Sequence, residues 1–131
     1  MKNKRLLCLI LPILTLVLEL LPCGAVCNFA NPEGDPWRKT FSYFDLTPFG
    51  YANFSPLFTA ATTCIVFVFL AVYCINGKKK LVLIAERLLY AASILSLCPL
   101  LLGINYFSVV GGMITASLIG EVILVKILKN K

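Results

Sequence analysis

Apolar residues run almost unbroken through four stretches of this chain, 6–26, 56–75, 81–102 and 104–125. Polar clusters and turn residues stand between them. A helical crossing of a bilayer takes roughly 20 predominantly apolar residues at about 1.5 Å per residue. The last three stretches meet that length directly. The first does so only by continuing from its leucine-rich part through Pro22 toward Val26. The pattern therefore predicts an all-α membrane protein: one domain over 1–131, folded as a four-transmembrane-helix up-down bundle. The connections "NGKKK" and "GIN" are short enough to make spans two, three and four antiparallel neighbours, with Gly77 ending span two.

One stretch departs from this pattern. The outer loop, 27–55, opens on "CNFANPEGDP", where Asn-Pro, Glu-Gly and Asp-Pro pairs mark turns. Asp35 then reads as an N-cap with Pro36 at the first helical position. On a helical wheel Trp37, Phe41 and Phe44 fall on one narrow face, so a short amphipathic interfacial helix over 36–45 is expected to cap the bundle. The alternation in "TFSYF" leaves a strand open as the other reading. Phe49, Tyr51, Phe54 and Phe58 are expected at the outer mouth.

Composition agrees with the class: 60% of residues are hydrophobic and 14% charged, against about 25% charged in soluble domains. The net charge of +6 does not imply nucleic acid, because of where the cations lie. Lys2, Lys4, Arg5, Lys78, Lys79, Lys80, Lys126, Lys129 and Lys131 all flank the spans on one side of a four-crossing chain. Arg38 and Lys39 on the other side are offset by Glu33, Asp35 and Asp45. Positive residues are retained on the cytoplasmic side, which predicts both termini and the lysine loop there, with membrane lipid as the first partner. The basic start followed by leucines has the outline of a signal peptide. Glu19 and the lack of a small-x-small site argue for retention of span one.

Candidate chemistry is sparse. Glu19, Glu86 and Glu121 lie inside spans, where a charge costs about 2.5–3.5 kcal/mol on insertion scales and usually finds a partner. Glu86, Arg87, Glu121 and Lys126 are expected to form a polar cluster on the cytoplasmic side, with Glu19 a separate acid near the outer end of span one. The depths expected for these groups count against a relay across the membrane. Ser108, Gly112, Ala116 and Gly120 recur every four residues and read as a helix-packing stripe, serving a partner span, a second membrane protein or a homo-oligomer. Cys23 and Cys27 could form a disulfide, but "CGAVC" is not the two-residue spacing of the redox motif. There is no histidine, no Gly-rich phosphate loop and no nucleophile elbow, so neither metal, cofactor nor catalytic residues are expected.

The segment "GAVCNFANPEGDPWRKTFSYFDLTPFGYANFSP" resembles the corresponding segment of small uncharacterised four-span bacterial membrane proteins. The likeness implies a bacterial cell-membrane protein and carries no activity. Small multidrug exporters are similar in length and in a first-span glutamate, yet have short loops. Claudin-like proteins share a long first outer loop, but their W–C–C pattern is missing after Trp37. Four-span quinone-linked thiol oxidases share the outline but not their CxxC and second cysteine pair. The expectation is a non-enzymatic multi-pass protein acting through protein or lipid contacts. The alternatives are a small proton-coupled transporter or transporter subunit, and a membrane thiol-redox protein.

Overall fold

A computed structural model of the protein describes residues 6–29, 32–34, 37–45, 54–102 and 108–130. After a 3-10 turn at Leu7–Leu9, the elements are α1 (Ile10–Leu20), β1 (Ala25–Phe29), β2 (Trp37–Phe41), α2 (Ser55–Asn76), α3 (Lys79–Leu97), the short α4 (Pro99–Leu102) and α5 (Val109–Asn130). Three helical stretches, Ser55–Asn76, Lys79–Leu101 and Val109–Asn130, are long and apolar enough to cross a membrane, and Leu7–Leu20 is a shorter apolar helix.

The first helix ends well before the expected Val26. Leu21 is extended, at φ −64° and ψ 139°, and it precedes Pro22. A proline's ring disfavours helical backbone in the residue before it, so the helix stops there. The chain turns instead into β1. Within α1, Ile10, Ile13, Leu14, Val17 and Leu20 stay exposed, as does Leu7 in the turn before it, whereas Thr15, Leu18 and Glu19 are buried.

The interfacial helix expected at 36–45 is a correction. Trp37–Phe41 is a strand, antiparallel to β1, with Ala25 opposite Phe41 and Phe29 opposite Trp37. The Asp35–Pro36 cap signal is local. The strand's five backbone pairings instead come from a segment about a dozen residues upstream, whose Val26 is fully buried. After the strand, 43–44 form a turn and Tyr43 N–H donates to Glu19 O at 2.9 Å, tying the hairpin's exit to the last turn of α1. The side chains of Cys27 and Trp37, and Phe49 and Tyr51 altogether, lie outside the described residues. Phe54 and Phe58 are exposed.

The long helices obey their local signals. Pro56 sits in the first turn of α2, where a missing N–H costs nothing. Gly77 closes that helix at φ 69°, with its N–H on Tyr73 O at 2.7 Å. Only glycine takes that left-handed conformation without steric cost. Pro99 interrupts the third apolar stretch after Cys98. The fourth helix starts at Val109 and runs to Asn130, beyond the expected end at 125, with Lys129 in its last turn favouring the helix dipole. Residues 104–107 lie outside the described ones.

The short α1 and the three long helices pack as a ring: α1 against α2, α2 against α3, α3 against α5, and α5 against α1. Val66, Leu70, Leu89, Ile114 and Leu118 fill its interior. Ile65, Val68, Ile94, Met113, Ile119, Ile123 and Ile127 point outward. So broad an exposed apolar surface suits hydrocarbon rather than water.

Candidate functional site

Five polar side chains meet inside this ring on α1, α2 and α5. Thr15 and Glu19 are one helical turn apart on α1, and Ser117 and Glu121 one turn apart on α5, so each pair shares a face. Glu19 is 0% exposed and Glu121 1%. Thr63 Oγ1 of α2 donates to Glu19 Oε1 at 2.8 Å, and Thr15 Oγ1 donates to Glu121 Oε1 at 2.6 Å. Thr15 also shares a hydrogen bond with Ser117 Oγ. A hydroxyl carries one proton and two acceptor lone pairs. Ser117 can therefore donate to Thr15 while Thr15 donates to Glu121, forming a short hydroxyl chain that ends on a carboxyl.

The remaining oxygens set this site apart. Glu19 Oε2 and Glu121 Oε2 are buried and accept no hydrogen bond. Among the described residues no Lys or Arg pairs with either carboxyl. Their depth differs from the sequence expectation. Glu121 is twelve residues from the start of α5 and nine from its end, about 18 Å and 14 Å at 1.5 Å per residue. Thr63, which holds Glu19, is near the middle of α2 as well. Both carboxyls thus occupy the middle of the bundle rather than one at each end. Two shifts account for this: α1 stops early at Pro22, and α5 extends toward the C-terminus.

The expected cluster of Glu86, Arg87, Glu121 and Lys126 is divided between layers. Glu86 is 9% exposed and accepts from Lys129 Nζ at 3.0 Å, with Lys129 itself 42% exposed. Arg87 is exposed. Lys126 lies over the Tyr90 ring, 5.3 Å from its centroid. Glu121 belongs with Thr15 and Ser117 instead.

At the opposite end, Tyr43 forms a roof. It is 2% exposed, and its ring lies where a Cβ on Gly24 would approach within 2.9 Å. Glycine at position 24 is thus required by the close approach of the ring. Burial, and secondarily the negative charge of Glu19, push the Tyr43 phenol above its ordinary range, which keeps the roof neutral. Ser108 Oγ donates to Gly24 O at 2.7 Å and accepts Gly111 N–H at 2.8 Å. It therefore acts as the N-cap of α5 and anchors that cap to the hairpin.

No protein-family model, curated protein or solved structure matches this chain.

The small-residue stripe does not form a single face of contact. Ser108 is the cap just described, Gly112 is half-buried and Ala116 is exposed. A Cβ on Gly120 would meet Leu11 of α1 at 3.5 Å, so part of the stripe faces the same chain. Cys23 is an exposed free thiol, and the side chain of Cys27, the other half of the possible disulfide, lies outside the described residues. The sulfurs that do meet belong to Cys8 and Cys74, 3.7 Å apart where the first turn packs on the end of α2. Thr15, Thr63 and Ser117 were not singled out in the sequence. The available signal was hydroxyl residues one turn from, or level with, intramembrane glutamates.

Proposed function

We propose that this chain is a four-span protein of the bacterial cell membrane, with both termini cytoplasmic, that works as a small proton-coupled transporter or transporter subunit and not as an enzyme. One observation carries the reading: Glu19 and Glu121 are fully buried in the middle of the bundle and, among the described residues, have hydroxyl side-chain partners only. Intramembrane acids are costly, face the bundle interior or a cavity, and mark ion pathways and proton relays. The two ends of the bundle support it further. Tyr43 and Gly24 close one side of the carboxyl layer, and Glu86 with Lys129 stands on the other. A carboxyl layer between two closures is an arrangement in which access can alternate.

Proteoliposomes with an entrapped pH-sensitive dye and an imposed pH gradient test this. The wild type should dissipate the gradient faster than protein-free vesicles. Glu19→Gln and Glu121→Gln should each reduce the rate to the protein-free background, and Glu86→Gln should leave it within about twofold. A wild-type rate equal to that of protein-free vesicles would sink the transport reading.

The contact reading keeps one supporting observation. Ala116 is exposed on α5 between half-buried Gly112 and Gly120, a surface on which a membrane-protein partner or a second copy could approach closely.

A further inference from the structure

A pair of sulfurs lies outside the carboxyl layer. Cys8 Sγ and Cys74 Sγ stand 3.7 Å apart, on residues 66 positions apart in the chain. Both are thiols. Their contact lies on the same seam as the hydrogen bond from Thr63 to Glu19. Eleven residues lead from Cys8 to Glu19 along the first apolar helix, and eleven from Thr63 to Cys74 along α2. Eleven residues make about three turns, so Cys8 shares a face with Glu19, and Cys74 with Thr63. The two helices therefore meet along one line, once through Thr63 and Glu19 and once through the sulfurs.

The two thiols differ in access. Cys8 is 1% exposed, whereas Cys74 is half-buried and stands two residues before α2 ends at Asn76. Thiol oxidation follows exposure, and an oxidised sulfur beside a second thiol condenses with it to a disulfide. A disulfide bond is about 2.0 Å long, so closure from 3.7 Å asks for about 1.7 Å of sulfur movement. Rotation of the two side chains between staggered positions supplies movement of that size. Exposed Cys23 has no second sulfur in contact among the described residues.

We propose that Cys8 and Cys74 form a reversible disulfide in reaction with a hydroperoxide, Cys74 attacking and Cys8 resolving. The Cys74 thiolate attacks the terminal peroxide oxygen. The O–O bond breaks, an alcohol leaves (water, from hydrogen peroxide), and Cys74 becomes a sulfenic acid. The Cys8 sulfur then attacks the Cys74 sulfur, the S–O bond breaks, and water leaves as the S–S bond forms. The thiol pair loses two electrons and the peroxide gains two. One thiol proton ends on the alcohol and the other on the water. The new bond ties the first turn to the end of α2, three turns from the carboxyl layer. This chemistry is independent of proton transport.

The test uses the full chain in lipid nanodiscs, first reduced and then given either hydrogen peroxide or cumene hydroperoxide, which partitions into the bilayer. Peptide mass spectrometry after alkylation in denaturant counts the thiols and finds the links. Wild type should yield a Cys8–Cys74 linked peptide, two hydrogens lighter than its parts, that dithiothreitol separates. The peroxide that reacts faster names the source of the oxidant, water or membrane. Cys8→Ser should leave Cys74 as a sulfenic acid that dimedone captures. Cys74→Ser should slow oxidation of Cys8 about tenfold, because the buried thiol has lost its accessible partner. Two outcomes in the wild type overturn the proposal, and neither depends on a variant folding. One is Cys8 and Cys74 both still alkylated at peroxide doses that oxidise Cys23. The other is Cys74 linked only to sulfurs other than Cys8, in the same chain or between chains.

Discussion

Two acidic layers lie within the same bundle, and they solve the cost of burial differently. Glu86 accepts from Lys129 at 3.0 Å, and that lysine is 42% exposed. Its carboxylate is neutralised internally, by a partner that can reach water along its apolar stem. Glu19 and Glu121 sit further in, hold only hydroxyls, and each leave an oxygen without a partner. The first layer reads as a clasp between α3 and α5. The second has no basic partner among the described residues, and that difference is the physical basis for assigning function to one and packing to the other.

The roof over the second layer should show the largest stability effect. Tyr43→Ala removes a buried aromatic ring between Gly24 and Gly111, and comparable large-to-small changes cost about 3–5 kcal/mol. Thermal unfolding in detergent measures this, and the same variant should open the carboxyl layer to an externally added carboxyl-modifying reagent. A smaller effect is expected inside the layer. Thr63→Val keeps the shape but leaves Glu19 Oε1 without its donor. Interhelical hydrogen bonds in membranes average about 0.6 kcal/mol, whereas stranding a buried acceptor costs about 1–3 kcal/mol. The larger range applies here, because the acceptor remains after its donor is gone. The clasp should show the least. Lys129→Gln is expected to cost about 0–1 kcal/mol, because Lys129 is 42% exposed and the new amide or water can take its place beside Glu86, with an effect that shrinks further in high salt. A clasp variant more damaging than Thr63→Val would reverse the assignment of the two layers.

Much of the helical frame is legible in the sequence. Apolar runs of about 20 residues locate α2, α3 and α5, Gly77 ends α2, and the short lysine loop makes α2 and α3 antiparallel. The end of α1 was also legible, because Pro22 constrains Leu21, but the need for a full-length crossing outweighed that signal. The hairpin was harder. Asp35 and Pro36 imitate a helix start locally, and only pairing with Ala25–Phe29 makes Trp37–Phe41 a strand. The site itself lies beyond local reading. Thr15 and Glu121 are separated by 106 positions, and no pattern along the chain relates them. Their meeting depends on α5 packing against α1 in a register set by the whole ring. Glu86 and Glu121 part for the same reason: depth read along the chain depends on where each span ends, and α5 extends to Asn130.

The contrast between the layers is tested most directly by infrared difference spectra of the reconstituted protein between acidic and alkaline buffer. Carboxyl bands that change with pH should include two that disappear separately in Glu19→Gln and Glu121→Gln, with the first shifted in Thr63→Val. Both should survive Glu86→Gln. Spectra in which the exchanging carboxyl bands are lost only in Glu86→Gln, and persist in both mid-bundle variants, would contradict the account.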